Sequence, residues 1–329
     1  MDTAAAFQLI DTDAGVRGRH TRIRMDELGE GDMLIRVTHS SINYKDGLAA
    51  TGRAPIARTL PLVGGCCAAG VVVQPGESGL EPGTVVSVVG ATLSEQHNGG
   101  YCEYLRVPSA WAMPVPEPFT AWEAGAIGTA GVTAAIALIK LEDAGCLPGS
   151  GPVAVTGASG GSGSIAVALL AARGYEVTAL TGKPEAADFL RELGAAHIEP
   201  RPDTSSTRPL EKGRWAGAID TVGGPTLAWL IRTTRPGGAI AAFGNAGGNR
   251  LDTTVLPFIL RGVSLLGVTV TFPAPALRTR VWQLLAESLS PRALRSIASE
   301  ISFEELDGAL ERIVTTGITG RIVVRIGEE

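Results

Sequence analysis

A glycine cluster between an apolar run and a helical run constrains the fold of this chain more than any other feature. The segment VAVTGASGGSGSIAVALL (153–170) carries Gly157, Gly160, Gly161 and Gly163. Glycines in such a turn let the backbone approach a pyrophosphate, and free N–H groups at the helix N-terminus attract the anion. No lysine follows the glycines, which excludes a P-loop. The spacing Gly-x-x-Gly-x-x-Gly leaves a purely structural turn as the alternative.

Short apolar runs and helical runs alternate around this turn. The predicted strands cover residues 152–157, 175–182, 197–200, 215–224, 237–244 and 262–270. The predicted helices cover residues 163–174 and 184–194. Roughly six strands with helices between them predict an α/β protein with a doubly wound parallel sheet. That sheet makes dinucleotide binding the favoured interpretation of the glycine turn.

The part of the chain before Pro114 is rich in strands. Alternating or β-branched runs cover residues 32–42, 67–76, 81–90 and 99–108, and short strands at this spacing predict a small barrel or sandwich. A helical stretch follows from Trp122 to about Asp143. The tail after Phe272 is predicted to hold two helical stretches and one last strand, 320–326, which returns to the first domain.

The end of the second predicted Rossmann strand decides between the two nicotinamide cofactors. NAD enzymes usually carry Asp or Glu there, and its carboxylate accepts a hydrogen bond from the ribose 2′-OH. This chain has Thr181, Gly182 and Lys183 instead. A hydroxyl, a glycine backbone and a lysine suit a 2′-phosphate, so NADPH is predicted. A solvated lysine at a helix start is the alternative for Lys183.

The composition limits the classes of binding partner and the cellular compartment that we expect. The net charge is −5 and no basic cluster with interleaved aromatic residues occurs, which argues against nucleic acid. No run reaches the roughly 18 apolar residues that cross a bilayer, and the N-terminal segment lacks the pattern of a signal peptide. We therefore expect a cytoplasmic protein with no membrane partner. Four cysteines in 329 residues do not form a disulfide framework.

The motifs together resemble the medium-chain dehydrogenase/reductase superfamily, within it the zinc-free quinone oxidoreductase branch and in particular the acrylyl-CoA reductase group. The matching segments are SSINYKDGLAATG (40–52), GTAGVTAA (128–135), LEDAG (141–145), VTGASGGSGS (155–164), LTGK (180–183), LRELGAAHIEPR (190–201), DTVGG (220–224), LPFILRGVSLLGV (256–268) and TGRIVVRI (319–326). The resemblance implies a β-rich GroES-like catalytic domain over 1–120, an NADPH-binding Rossmann domain over 121–270, and a C-terminal part, 271–329, that returns to the catalytic domain. It also implies a homodimer that pairs the last Rossmann strand with its copy.

The resemblance also assigns site residues. Tyr44 of the NYKD motif would face the nicotinamide in the interdomain cleft, with Asn43 and Asp46 beside it in the catalytic motif and Asp46 orienting the loop around Lys45. The cofactor-binding residues implied are Ser159, Gly160, Gly161 and Ser162 for the pyrophosphate, Thr181, Gly182, Lys183 and Arg201 for the 2′-phosphate, Asn245, Thr129 and Thr133 near the nicotinamide half, and Arg321 in the tail strand. The alternatives are a buried-helix role for both threonines and a solvated edge position for Arg321.

The adjacent pair Cys66–Cys67 stands where zinc-dependent relatives carry His-Glu. Catalytic zinc needs three protein ligands, and Asn43 takes the place of the first of them, a cysteine. A Cys66 thiolate could ligate zinc, but His39 and His97 are partners only by residue type. We therefore predict no metal.

The same stretch also departs from the zinc-free relatives, which carry Pro-Gly-Ile-Asp-Phe-Ala-Gly. The acid is lost here and Ala68 replaces the aromatic residue. A cysteine of low pKa needs a cationic neighbour, and the small residues on either side of the pair supply none. Cys66 and Cys67 are therefore interpreted as small, buried residues on the floor of the substrate cleft.

Without a metal to polarise a carbonyl, conjugate reduction is the predicted reaction. Hydride from NADPH would add to the β-carbon of an enone, a quinone or an enoyl thioester such as acrylyl-CoA, while hydrogen-bond donors stabilise the enolate. Tyr44 is the candidate proton donor and water is its rival; the altered cleft leaves a biosynthetic substrate open. Two other functions stay open: a zinc-dependent alcohol dehydrogenase with unusual ligands, and a non-enzymatic NADPH-binding regulator.

Overall fold

The computed structural model describes residues 3–315 and 317–327. The chain divides into two compact units. Unit 1 comprises Met1–Val132, Val270–Arg278 and Leu294–Glu329, and unit 2 comprises Thr133–Thr269 and Thr279–Ala293.

The elements follow one another in two β-rich stretches with an alternating region between them. The strands are β1 Thr3–Ile10, β2 Arg17–Arg24, β3 Met33–Ser41, β4 Leu62–Val63, β5 Cys67–Gln74, β6 Val85–Val89, β7 Tyr104–Val107, β8 Met113–Pro114, β9 Val153–Thr156, β10 Val177–Thr181, β11 His197–Pro200, β12 Trp215–Asp220, β13 Thr234–Ala242, β14 Ser264–Gly267, β15 Ala298–Ser302 and β16 Arg321–Arg325. The helices are α1 Tyr44–Ala50, α2 Ala121–Asp143, α3 Gly161–Ala172, α4 Ala187–Glu192, α5 Gly224–Thr233, α6 Leu256–Arg261, α7 Pro275–Ser288, α8 Pro291–Ile297 and α9 Leu306–Thr315. Single 3-10 turns cover Met25–Glu27, Ser109–Trp111, Pro184–Ala186 and Phe303–Glu305.

Unit 1 contains two sheets that pack their apolar faces into one core. The smaller sheet has the order β2-β1-β4, and the larger has the order β15-β16-β3-β5-β6-β8, with β7 paired to β3. Strand β16 runs antiparallel to β3 with Val323 opposite Ser41, so the last strand of the chain joins a sheet built from its first part. The core includes Phe7, Leu105 and Val324. The predicted β-rich domain and the return of its last strand are confirmed.

Unit 2 is a six-stranded parallel sheet with the order β11-β10-β9-β12-β13-β14. The chain enters at β9 in the middle, winds outward through β10 and β11, and then returns to add β12, β13 and β14 on the other side. This is the doubly wound order that binds dinucleotides where the winding reverses. The predicted doubly wound parallel sheet is therefore confirmed.

Helix α2 is long and apolar enough to cross a membrane, with a mean hydropathy of 1.6, but 89% of the window that qualifies is buried inside the protein. Its backbone leaves the helical region at Gly128, where φ is 41° and ψ is −152°. Enclosure of this kind is typical of a core helix in a soluble protein. α2 is therefore a core element with a break at Gly128.

The tail differs from its prediction of two helical stretches and one strand. Three helices, α7, α8 and α9, and two strands, β15 and β16, follow Phe272. Pro291 begins α8 just after α7 ends, because proline fits the first turn of a helix and disfavours helical backbone in the residue before it. Strand β15 adds to the sheet edge by parallel pairing with β16.

Candidate functional site

The NYKD motif forms the tight entry to helix α1. Asn43 is the residue before the helix, and Asp46 Oδ2 accepts hydrogen bonds from its backbone N at 2.9 Å and its Nδ2 at 3.0 Å. Asp46 Oδ1 accepts the backbone N–H of Cys66 at 2.9 Å. Lys45 pairs instead with Glu95. The Asp46 carboxylate therefore fixes Asn43 and Cys66, and burial raises its pKa while the hydrogen bonds from Asn43 oppose that rise.

Tyr44, the first residue of α1, is 40% exposed. By contrast, the hydroxyls of Tyr101 and Tyr175 are turned inward and donate to Ser41 O and Cys146 O. A phenol on the surface of unit 1 beside a rigid turn is available to a bound ligand. This exposure is what the expected role of Tyr44 as a proton donor requires.

Arg321, at the start of β16, is 3% exposed, which rules out the solvated edge position. Its guanidinium donates to Ala126 O, Ile42 O, Asn43 Oδ1 and Ser41 Oγ at 2.5–3.1 Å. It therefore fixes the three residues that precede Tyr44. The structure shows Arg321 engaged within unit 1.

Cys66 and Cys67 are both buried, as expected, but they are not chemically inert neighbours. Asn43 Nδ2 donates to Cys66 Sγ at 3.1 Å, and Ser41 Oγ lies 3.1 Å from Cys67 Sγ. A hydrogen bond from the Cys66 thiol lowers the pKa of Cys67, and the Ser41 hydroxyl and the charge of Arg321 lower it further. The same hydrogen bond, together with burial, raises the pKa of Cys66.

The residues beside the cysteine pair in the sequence supply no cation, as expected. In the folded protein the charge of Arg321 acts on the pair from β16, which pairs with β3. Ser41, which joins Arg321 to Cys67, was also missed. The pairing of β16 with β3 brings Arg321 to Ser41, and the pairing of β3 with β5 brings Ser41 to Cys67.

The donor set does not fit zinc. Within residues 3–315 and 317–327 no group of three or more His, Cys, Asp or Glu side chains is arranged to hold a metal. His39 lies between Thr38 Oγ1 at 3.0 Å and Glu300 at 3.7 Å, and His97 lies beside Thr92 and the ring of Trp111. The buried cation next to Cys67 is a guanidinium.

In unit 2 the glycine turn joins β9 to α3 as the sequence predicts. Gly157 has φ of 58°, in the left-handed region that favours glycine. A Cβ on Gly163 would overlap the carbonyl of Gly157, so α3 begins close against the strand. Ser159 and Thr181 are buried and join their hydroxyls at 2.9 Å, which ties the turn to the end of β10.

The residues expected around a 2′-phosphate come together beyond the end of β10. Thr181 pairs with Pro200 of β11, which places Gly182 next to Arg201. The guanidinium of Arg201 lies where a Cβ on Gly182 would be, and Arg201 itself is exposed. Lys183 follows directly, so two cations flank a glycine with no carboxylate at the strand tip.

The remaining predicted residues are Thr129 in unit 1 and Thr133 and Asn245 in unit 2. Thr129 donates to Cys66 O at 3.3 Å and belongs to the cluster of unit 1. Thr133 is buried in unit 2, and Asn245 is exposed just beyond β13.

Asp220, which the sequence treats as an unremarkable acid, is completely buried. Its carboxylate accepts Thr156 Oγ1 at 2.7 Å and Gly223 N at 2.9 Å, and burial raises its pKa. It therefore joins the ends of β9 and β12. The DTVGG motif could have predicted this role of Asp220. An acid that ends an apolar strand just before a glycine turn has the backbone N–H groups of that turn within hydrogen-bonding reach.

Two family models match this chain. The one described as zinc-binding dehydrogenase matches residues 161–287, and the one described as alcohol dehydrogenase GroES-like domain matches residues 29–117.

Similar proteins cover almost its whole length. Acrylyl-CoA reductase AcuI of Ruegeria pomeroyi is 41% identical over 307 residues, 93% of this chain and 93% of that protein. The crystal structure of Escherichia coli YhdH with bound NADPH has a TM-score of 0.95 at 41% identity and covers 98% of this chain and 100% of that one. The structure of Bacillus subtilis YhfP with NAD bound has a TM-score of 0.94 at 40% identity, covering 99% and 100%.

Proposed function

This chain belongs to the medium-chain dehydrogenase/reductase superfamily, and from that premise we propose that it reduces an activated C=C bond with NADPH and without zinc. The acceptor is an enone, a quinone or an enoyl thioester such as acrylyl-CoA. The observation that carries the proposal is the 41% identity to an acrylyl-CoA reductase over 93% of both chains.

Unit 2 supplies the groups that hold the cofactor, which provides a hydride from its nicotinamide when bound. Arg201 and Lys183 are placed to bind the 2′-phosphate at Gly182, through charge-assisted hydrogen bonds. The pyrophosphate is assigned to the N-terminus of α3, at Gly160, Gly161 and Ser162, with Ser159 and Thr181 holding the turn. The similar E. coli protein was crystallised with NADPH, which supports this choice of cofactor.

Unit 1 supplies the proton and the groups that place its donor. Tyr44 donates the proton to the α-carbon, because it is the exposed hydroxyl of a turn that Asn43 and Asp46 hold rigid. Arg321 holds this turn through a hydrogen bond to Asn43 Oδ1, and we assign it a positioning role in place of the expected cofactor contact. Thr129 fixes the Cys66 loop, and Asn245 and Thr133 are assigned to the nicotinamide half.

The zinc-dependent alternative loses support from the side chains around Cys66. Asn43 donates a hydrogen bond to the sulfur and Asp46 is already bonded to three N–H groups. Neither is free to coordinate a metal. The other alternative, a non-enzymatic regulator that binds NADPH, differs from the main proposal only in that it would not reduce any acceptor.

We also propose a homodimer in the cytoplasm. Strand β14 is the outer strand of its sheet, and Val255, Ile259 and Leu260 nearby are each about two-thirds exposed, at 65%, 68% and 64%. An unpaired strand edge beside apolar side chains fits a second copy of this chain. The four cysteines are all free thiols, as a reducing compartment favours.

The reaction itself is tested by following NADPH oxidation with a panel of enones, quinones and enoyl-CoA thioesters, alongside metal analysis of the purified protein. We expect turnover with at least one conjugated acceptor and no stoichiometric zinc. Tight NADPH binding without turnover of any acceptor would favour the regulator, and one zinc per chain would favour the alcohol dehydrogenase.

Substitution of Arg201 tests the 2′-phosphate site. Arg201→Ala should lower kcat/KM for NADPH about tenfold to a hundredfold and leave the value for NADH nearly unchanged, because one charge-assisted hydrogen bond is lost. Arg208→Ala removes another exposed arginine of the same unit and should change neither value. Equal losses of kcat/KM for NADPH and NADH in Arg201→Ala would show that the residue does not bind the 2′-phosphate.

Substitution of Tyr44 tests the proton donor. Tyr44→Phe should lower kcat about a hundredfold or more, as loss of a general acid does, with the Kd for NADPH unchanged. Tyr104→Phe on strand β7 is the matched control. A fall of less than about threefold in Tyr44→Phe would assign the proton to water.

The dimer is tested by light scattering. The wild type should have twice the chain mass of 33.9 kDa, and Ile259→Glu with Leu260→Glu should release monomers because two charges then enter an apolar contact. Val73→Glu, at an exposed apolar site of unit 1, should remain dimeric. A monomeric wild type at micromolar concentration contradicts the proposal.

A further inference from the structure

The loop 90–97 of unit 1 has a strained backbone. Ala91, Thr92 and Ser94 have φ of 48°, 62° and 63°, and they are all of the non-glycine residues with a left-handed φ in the part of the chain that the structure describes. A residue with a Cβ adopts this conformation only at a cost in energy. Such strain persists where the surrounding contacts fix the backbone, and it concentrates where ligands bind. The groups that this loop holds are therefore candidates for ligand contact.

Hydrogen bonds within the loop close it tightly. Thr92 O accepts the backbone N–H groups of the three residues 95–97 at 3.0–3.2 Å. The hydroxyl of Thr92 also lies 3.0 Å from Nδ1 of His97. Because the chain turns back at Thr92, Ala91 and Glu95 lie closer together than the roughly 14 Å that four extended residues span.

One side of the loop 90–97 holds the turn that carries Tyr44. The carboxylate of Glu95 pairs with Lys45, the residue after Tyr44. Gly90 N donates to Cys66 O at 3.2 Å, and the sulfur of Cys66 accepts a hydrogen bond from the residue before Tyr44. The loop therefore contacts Tyr44's neighbours in the chain both directly and through Cys66.

The other side of the loop holds the segment Val270–Arg278, which belongs to the same unit. Ala91 N donates to Thr271 O at 2.9 Å. At the far end of the segment the guanidinium of Arg278 donates to the backbone carbonyls of residues 110–112 at 2.6–3.1 Å. The segment is therefore fixed at both ends, and Phe272 lies between the two fixed points.

Phe272 is the outer member of a row of three rings. The ring centroids of His97 and Trp111 are 4.6 Å apart, and those of Trp111 and Phe272 are 6.3 Å apart, which is the range of aromatic contacts. Phe272 is nevertheless 64% exposed. Because the ring is already held in place, a flat molecule can pack against it with little further loss of side-chain freedom.

We propose that Phe272 is a specificity-determining residue that binds a flat ring of the acceptor. The exposed phenol of Tyr44 and the exposed phenyl ring of Phe272 belong to elements that the loop 90–97 fixes together, so one acceptor molecule can meet both. Quinones and aryl-substituted enones or enoyl thioesters are then favoured over small aliphatic acceptors. This selection rests on the proposed function, whereas the binding of a ring to Phe272 does not.

The selection is tested with two matched pairs of enones that differ only in a phenyl group in place of a methyl group. Benzalacetone and ethylideneacetone carry the group on the β-carbon, and phenyl vinyl ketone and methyl vinyl ketone carry it on the carbonyl carbon. The wild type should have the higher kcat/KM for the phenyl member of at least one pair. Phe272→Ala should lower that value about tenfold and change the value for the methyl member by less than about twofold, because only the ring contact is lost.

Two controls accompany Phe272→Ala. Phe272→Tyr keeps the ring and should keep the preference for the phenyl acceptor. Val73→Ala, at another exposed apolar site of unit 1, should change neither value. A wild type that prefers the phenyl member of neither pair, or a preference that survives in Phe272→Ala, overturns the proposal.

The support that Trp111 gives to Phe272 is tested by a double-mutant cycle. Trp111→Leu should lower kcat/KM for the same phenyl acceptor by a factor similar to that of Phe272→Ala. The double variant should lose little more than either single variant, because the effects of residues in contact are not additive. Losses that multiply in the double variant contradict the row of rings as the support of Phe272.

Equilibrium binding separates this proposal from the proposed function. With NADP⁺ bound, which carries no hydride, the phenyl acceptors should bind the wild type about tenfold more tightly than Phe272→Ala, the size expected for one aromatic contact. Such a difference in a protein that reduces no acceptor would contradict the proposed function and leave the ring contact standing. Equal affinities, or no binding to the wild type, overturn the ring contact.

Discussion

The antiparallel pairing of β16 with β3 is the contact on which the polar cluster of unit 1 depends. It carries Arg321 to the residues that precede Tyr44, where the guanidinium bonds two backbone carbonyls, an amide and a hydroxyl. On the other side Asp46 binds Asn43 and the Cys66 loop. The entry to α1 is thus held between a buried cation and a buried acid, each of which would be costly alone. The first residue of the helix that this entry begins is Tyr44, and its side chain is exposed.

A second pairing sets the corner of unit 2 where we propose that the 2′-phosphate binds. The parallel register of β10 with β11 places Thr181 opposite Pro200, so the next residues, Gly182 and Arg201, meet at the carboxyl edge of the sheet. A side chain at Gly182 would displace the guanidinium. The absence of a side chain at residue 182 therefore leaves room for the guanidinium beside the end of β10.

Local sequence predicted much of unit 2, because each strand there is a short apolar run that ends at glycine, proline or a polar residue. It predicted the glycine turn for the same reason and pointed to Thr181, Gly182 and Lys183, whereas Arg201 was implied only by the family resemblance. It failed in the tail, where Pro291 separates α7 from α8 and β15 adds to a sheet edge. It also failed at Cys67, since the charge that acts on this thiol comes from a long-range strand pairing that no neighbouring residue reveals.

The small residues around the cysteine pair now have a packing cause. The ring of Tyr101 lies against Gly64 and Gly65, where a Cβ would be 3.2 Å and 2.8 Å from it. The hydroxyl of Tyr101 donates to Ser41 O at 3.2 Å, so this ring also holds the serine that joins Arg321 to Cys67. Glycine in this stretch thus serves Tyr101 and does not by itself report the size of a substrate. What distinguishes the stretch chemically is the thiol of Cys67, which lies 3.1 Å from the hydroxyl of Ser41, the same hydroxyl that accepts a hydrogen bond from Arg321.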